Sequence, residues 1–394
     1  MKVHAPAGET ELADLVRHLA ATGTPVEVAG GRTRLGLGHP VEAMARITTA
    51  AMTGITLYEP AALTIVVRAG TPLAEVEAAL AAEGQHLPFE PADHRALLGS
   101  RGTPTIGGAY ATGVSGPRRV QAGACRDCAI GVRLVSGAGD VVANGGRVMK
   151  NVTGYDLVKL ICGSFGTLGV VTEIAFKVLP RPEMSATLTL AGLDEARAVA
   201  ALSRALASPY GVSGAAHLAG GGDGPLTLLR IEGFAASVDY RAARLRELLA
   251  AFGEATVDTD QVAVAAGWRR LRDVEVFAGR PGAVWRLSVK PTDAPLLVGE
   301  LRRRLADTQA LYDWGGGLVW LLVAEEGDCG AAAIRGLLAR FGGHATLVRA
   351  GQATRRSVAV FEPQAPGIAA LADGLRRRFD PSGILNPGRM AAVA

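Results

Sequence analysis

Three glycine-rich stretches decide how this chain is read: VAGGRTRLGLG at residues 28–38, GSRGTPTIGGAYATGVSGPRR at 99–119, and GGRVMKNVTGYDLVKLICGSFGTLGVVTEIAFKVLPRP at 145–182. In the first, a short apolar strand runs into Gly30-Gly31, where successive backbone donors can approach an anion without side chains in the way. It is not a P-loop, because no Gly-Lys-Ser/Thr follows at the required spacing. Nor does it carry the G-x-G-x-x-G that opens a helix in a Rossmann site. The second stretch is small-residue backbone with little to pack, which an ordinary surface loop would also explain. Two such clusters before residue 120, and a third leading into a β-branched strand, favour a shared ligand over three unrelated bends.

Glycine supplies 51 of the 394 residues, well above the average usage of about 7%. The glycines follow no collagen period and sit between apolar runs, as turns or close approaches of backbone require. Half the residues are apolar, 20% are charged and the net charge is +4, which excludes a disordered or nucleic-acid-wrapping chain. Four cysteines are too few for a disulfide framework. No early apolar segment reads as a secretory signal and no charge-free run of 18 apolar residues reads as a membrane span. The expected location is the cytoplasm, with any contact to the inner membrane made through a complex.

Leu12, Leu15, Val16 and Leu19 have the spacing of one helical face, followed by a strand at 25–29. Residues 63–68 read as a strand, and Pro72 as the first position of a helix with Leu73, Val76 and Leu80 inward, ending at Gly84. Residues 99–150 read as glycine-punctuated loop and strand, with a hairpin of 132–136 and 140–143 across Gly137-Ala138-Gly139. A β-branched strand at 169–179 ends in Pro180-Arg181-Pro182, the expected domain boundary. Helices at 195–206 and 240–252 and strands at 226–231 and 318–323 then read as a second, α+β domain.

Together the three stretches resemble the FAD domain of the p-cresol-methylhydroxylase and vanillyl-alcohol-oxidase type. The string VMKNVTGYDLVKL, with GPRR before it and KVLPRP after, narrows the resemblance to the FAD-binding E subunits of glycolate oxidase. Trp285-Arg286-Leu287-Ser288, Asp313-Trp314-Gly315-Gly316, Gly342-Gly343-His344-Ala345 and the closing FDPSGILNPGRM (residues 379–390) support it. The implied fold is α+β: a two-subdomain FAD-binding domain over 1–180, an α+β cap over 181–375, and a tail over 376–394 returning to the flavin domain. The implied FAD contacts are Gly30, Gly31, Arg32 and Thr33 on one side of the pyrophosphate, and Thr105, Ile106, Gly107, Gly108, Ala111 and Thr112 on the other. Gly169, Val170 and Val171 would meet the adenosine side, and Asn386 would return near the flavin ring. Relatives that tether the flavin use a histidine in the first loop; position 32 is Arg, and no histidine lies between 19 and 38. Non-covalent FAD is expected.

Oxidation of a 2-hydroxy acid needs an anchor for the carboxylate, suited to Arg, and a base or metal for the hydroxyl proton. Related flavoenzymes hold a metal on a closely spaced histidine pair; the seven histidines here offer no such spacing, and no metal site is expected. Arg286 and His344 remain as candidate anchor and base, against internal pairing for Arg286 and a plain hydrogen-bonded role for His344. Arg118 and Arg119 could hold a phosphate or an acidic partner, or be solvated. Cys125-Arg126-Asp127-Cys128 could be redox-active or half of a metal site. Cys162 and Cys329 are single and distant, and packing is the preferred reading. The resemblance implies a glycolate oxidase complex turning glycolate into glyoxylate, with a catalytic FAD-containing D-type subunit and an iron–sulfur F-type subunit as partners. This chain's FAD would be a relay or structural cofactor. The rival readings are a self-sufficient FAD-dependent dehydrogenase of another 2-hydroxy acid or alcohol, and a flavin-free assembly scaffold.

Overall fold

The computed structural model describes residues 1–146, 154–220 and 224–391. The segment VMKNVT (148–153) of the family string therefore lies outside the described residues. Contacts divide the chain into two units, residues 1–115, 123–181 and 363–394 in the first, and 116–122 and 182–362 in the second. The chain thus returns to the first unit at Pro363, earlier than the 376 expected, and the short segment 116–122 is lent to the second.

In the first unit, β1 (Lys2–His4), β2 (Val26–Ala29) and β3 (Ala45–Thr48) form a parallel sheet in the order β1-β3-β2. Parallel pairing needs a crossover, and the helix Glu9–Ala21 supplies one. Its Leu12, Val16 and Leu19 are buried against Val26 and Ile47, as the helical spacing predicted, and Ile384 and Leu385 of the returning tail join this core. Leu15 is only partly buried.

β4 (Ile55–Glu59), β5 (Thr64–Arg68), β6 (Gln85–His86), β7 (Ala129–Val135), β8 (Val141–Gly145), β9 (Val170–Lys177) and β10 (Leu179–Pro180) complete the unit. Five of them form an antiparallel sheet, order β4-β5-β9-β7-β8, while β6 pairs β10. The predicted hairpin is present, with Val135 opposite Val141. Ile65, Val67, Ile174 and Phe176 pack with Leu73, Val76 and Leu80 of the helix Leu73–Ala82. Each such side chain contributes roughly 1.5–3 kcal/mol when fully buried. Pro72 is the N-cap rather than the first helical residue. Residues 106–112, read as loop, form a helix, Ile106–Thr112. Two glycines lower helix propensity, and packing overrides it: a β-carbon on Gly107 would fall 2.6 Å from Ala69 Cβ, so only glycine lets this helix close on the end of β5.

The second unit is one antiparallel sheet of β11 (Met184–Ala191), β12 (Val212–Leu218), β13 (Leu226–Gly233), β14 (Ala255–Asp258), β15 (Ala283–Ser288), β16 (Gln309–Asp313), β17 (Leu318–Val323) and β18 (His344–Arg349). Their order is β14-β11-β13-β12-β16-β17-β15-β18. The helix Glu195–Leu206 stands where its pattern placed it; the second predicted helix starts earlier, at Ala235, and runs to Leu249. Trp285, Leu287, Val319 and Leu321 face one core, and Leu188, Leu202, Leu229 and Leu245 a second. Among the described residues no helix is long and apolar enough to cross a membrane.

Candidate functional site

The first two glycine stretches touch backbone to backbone. A β-carbon on Gly31 would fall 1.6 Å from the carbonyl oxygen of Thr103, and one on Gly102 would fall 2.2 Å from the Gly31 carbonyl oxygen. Ser100 Oγ donates to Thr33 O at 2.8 Å. Gly31 is thus glycine chiefly so that one loop can lie on the other, a different reason from clearing space for an anion. Thr105 caps the helix Ile106–Thr112, its hydroxyl accepting from Gly108 N at 3.2 Å. At the other end the third stretch takes up carbonyls, with Gly163 N on Tyr110 O and Phe165 N on Ala111 O. Tyr110 Oη donates to Val158 O.

The closing motif ties these pieces together. Asn386 Oδ1 accepts from Val28 N at 2.8 Å, and its Nδ2 donates to Phe165 O at 2.7 Å. One amide, almost wholly buried, thereby links the first stretch to the third. Arg389 donates to the carbonyls of Leu35 and Leu37, holding the first loop from beneath, and lies 3.4 Å from Glu27. Burial pulls its guanidinium pKa down, with Glu27 opposing. Asp380 accepts from Leu385 N, shaping the turn that delivers Asn386.

These elements line a cleft within the first unit, partly open to solvent. Its wall brings together Gly30, Gly31, Arg32, Thr33, Thr105, Gly107, Gly108, Ala111, Thr112, Gly169, Val171 and Asn386. Two expected residues are not on it. Ile106 points into the core of the five-stranded sheet, and Val170 into the core under the parallel sheet. Each is the apolar neighbour, on the opposite side of its element, of a residue that does face the cleft. Residues not foreseen are Val28, Ala29, Arg34, Leu35, Leu37, Thr49, Ala69, Phe165, Gly166 and Arg389. Arg34 and Arg389 stood in quoted motifs and were readable as charge; Thr49 and Ala69 follow strand ends and carry no sequence signal. Among the described residues the wall holds three arginines and no carboxylate. A concave wall of glycines and threonines that carries three arginines suits a diphosphate.

The remaining candidates lie elsewhere. Arg286 and His344 belong to the second unit, on β15 and β18. Arg118 is not a solvated arginine: it pairs with Glu232 at 2.7 Å, both side chains under a tenth exposed. Cys125 and Cys128 sit on the short helix Cys125–Cys128, buried in the core of the five-stranded sheet. Burial pushes both thiols up, Cys128 to about 12, the opposite of an activated cysteine.

Residues 2–145 match the family model described as an FAD binding domain. Glycolate oxidase subunit GlcE of Escherichia coli (strain K12) is 37% identical over 384 residues, 97% of each chain. Glycolate oxidase subunit GlcD of Bacillus subtilis (strain 168) is 32% identical over 187 residues, 47% of this chain and 38% of that one. Among solved structures, p-cresol methylhydroxylase with substrate bound superposes with a TM-score of 0.73 at 17% identity, covering 98% of this chain and 88% of that one. The 4-ethylphenol oxidase of Gulosibacter chungangensis gives 0.73 at 16%, covering 99% and 89%. Likeness at this identity speaks for the fold alone, which is of the p-cresol-methylhydroxylase type, and FAD is the cofactor that the matched domain takes. The end-to-end similarity to GlcE goes further: the chain belongs to the GlcE family of glycolate oxidase subunits, FAD-binding oxidoreductases.

Proposed function

We propose that this chain is the FAD-bearing E-type subunit of a glycolate oxidase complex. It would assemble with an FAD-containing catalytic D-type subunit and an iron–sulfur F-type subunit that together turn glycolate into glyoxylate. The observation that carries the reading is the conjunction of full-length similarity to GlcE with a cleft walled by glycines, threonines and three arginines. On this reading, residues 1–180 form the flavin domain in sequence terms, 181–375 the cap, and 376–394 the tail that completes the cleft.

Bound FAD supplies a centre that takes up and releases electrons. The chain's own residues hold it. The amides of residues 30–33 would face the diphosphate, and Arg32, Arg34 and Arg389 would offset its charge. The side-chain-free Gly107-Gly108 corner of the helix Ile106–Thr112 would let it approach, its own amides being taken by Ala69 O and Thr105 Oγ1. Asn386 fixes the distance between the first and third stretches, and so the width of the cleft. Among the described residues the wall contains no histidine, cysteine or tyrosine, which supports a non-covalent cofactor; acid precipitation should release all the yellow colour into the supernatant. The seven histidines provide no closely spaced metal pair, which supports a relay or structural role for this FAD. The test is reconstitution with the two partners. Glycolate-dependent reduction of an artificial acceptor should need the D-type subunit and gain from this chain. Full glycolate turnover by this chain alone would overturn the relay role in favour of a self-sufficient dehydrogenase, and a colourless purified protein would favour a scaffold.

A further inference from the structure

We propose that the second unit carries a binding site for a small carboxylate, formed by Arg119, Arg286 and His344 around the indole of Trp314. The inference goes beyond the relay role, which assigns this unit no ligand.

The segment 116–122 reaches the second unit through two fixed contacts. Arg118 is anchored in the buried ion pair with Glu232, which also pairs Arg230 at 3.4 Å and accepts from Ser213. Trp314 Nε1 donates to Gly116 O at 3.1 Å. The next residue, Arg119, is thereby held with its guanidinium carbon 4.5 Å from the centre of the Trp314 ring. Arg286 approaches the same ring at 5.2 Å from β15. The two cations can therefore be no farther apart than the sum of these separations. Trp314 is itself fixed in an unusual conformation, with φ +52°, its backbone N donating to Asp313 Oδ1 at 2.7 Å. A bulky residue in this region costs on the order of 1–3 kcal/mol.

Strand register supplies the third group. Arg286 is paired with Trp320 and Thr346, and Ser288 with Leu318 and His344. Directly paired residues point to the same side, so Arg286 and His344 share one sheet face while Trp285 and Leu287 enter the core behind it. Asp313, paired with Leu318, ends the same row.

The electrostatics of Arg286 are dominated by burial and then by repulsion from Arg119, which bring its pKa down to about 10, with Asp313 opposing. Glu362 favours the charged form of His344, but it also accepts from Ala345 N and lies 3.8 Å from Arg335. Two guanidiniums brought to one ring against these shared carboxylates repel each other at low dielectric, and an added anion relieves that repulsion. The planar forks fit a planar carboxylate, and the indole offers it an apolar floor. His344, at the exposed start of β18, can hydrogen-bond an oxygen on the adjacent carbon. The fitting class is a small 2-hydroxy or 2-oxo carboxylate.

The test titrates the purified, FAD-loaded full chain with glycolate and with oxalate at constant ionic strength, by calorimetry and tryptophan fluorescence. Potassium chloride and inorganic phosphate serve as comparison anions. Saturable carboxylate binding is expected, weakened about tenfold or more in both Arg119→Ala and Arg286→Ala, with flavin content unchanged. Trp314→Phe should lose the fluorescence change and keep most of the affinity. Absence of saturable binding, wild-type affinity in either arginine variant, or displacement by chloride at equal concentration each overturns the site. Should Arg286→Ala not fold, Arg119→Ala and Arg286→Lys carry the same comparison. If the site binds only the acidic surface of a protein partner, free carboxylates will not bind, and the proposal fails while the subunit assignment stands.

Discussion

Replacing Gly31 by alanine tests the loop-on-loop architecture where it is tightest. The added β-carbon would lie 1.6 Å from Thr103 O and 2.7 Å from its carbonyl carbon, against an ordinary van der Waals separation of about 3.5 Å. The obstacle is backbone, so no side chain can swing aside; the two loops must part by well over an ångström. Overpacking of that kind costs about 1–3 kcal/mol and sometimes more. Those loops are two walls of the cleft, so most of the loss should appear in FAD affinity, roughly 10- to 100-fold at 1.4 kcal/mol per decade. The neighbours give a graded series. On Gly30 the β-carbon would meet the side-chain oxygen of Thr105 at 2.5 Å, and on Gly108 the same oxygen at 3.2 Å. Thr105 can turn, at the expense of its cap on Gly108 N, so the loss should fall in the order Gly31, Gly30, Gly108. Flavin retained after desalting, fluorimetric titration of the apoprotein with FAD and the melting temperature read the series. A Gly31→Ala protein with wild-type FAD affinity and melting temperature would refute the reasoning.

Asn386→Asp keeps the acceptor for Val28 N but replaces the donor to Phe165 O with an oxygen. Stability should drop by about 1–3 kcal/mol with loss of flavin, measured by urea unfolding; an unchanged midpoint counts against the stitch. His217 is fully buried with Nδ1 on Thr227 Oγ1, and burial pulls its pKa from 6.5 to about 4. The unfolded chain takes up that proton first, so stability is complete above pH 6.5 and declines as pH falls toward 4, by at most about 1.4 kcal/mol per pH unit. His217→Gln should flatten that segment of the stability–pH curve, and equal slopes would rule the group out. Gly336, inside the helix Ala331–Phe341 with open space at its Cβ position, should gain roughly 0.5–1 kcal/mol on change to alanine; a loss would mean that the space is not open.

Helical spacing and β-branched runs sufficed for the elements, because burial follows periodicity wherever one face is solvated: Leu12, Val16 and Leu19 are inward as read. The exception, the helix Ile106–Thr112, depends on contacts with Ala69 and the third stretch, separated from it by tens of residues, which local composition cannot express. The cleft was legible in its glycines and threonines because a wall of backbone demands small residues in clusters. Arg389 shows in the sequence only as a charge in the closing motif, since its role rests on carbonyls of Leu35 and Leu37 that no spacing brings near it. Arg118 was readable only as a charge; its partner, Glu232, is 114 positions away.

The Asn386 stitch has a consequence in time. Val28 and Asn386 are 358 positions apart, so at roughly 5–20 residues per second of synthesis the first glycine loop waits about 20–70 s for the residue that secures it. During that interval every strand of the first unit has been made, yet the cleft lacks its last tie. Tight retention of the cofactor is therefore a property acquired only once Asn386 has been made, and a ribosome that stalls within the second unit leaves behind a flavin domain without its last tie.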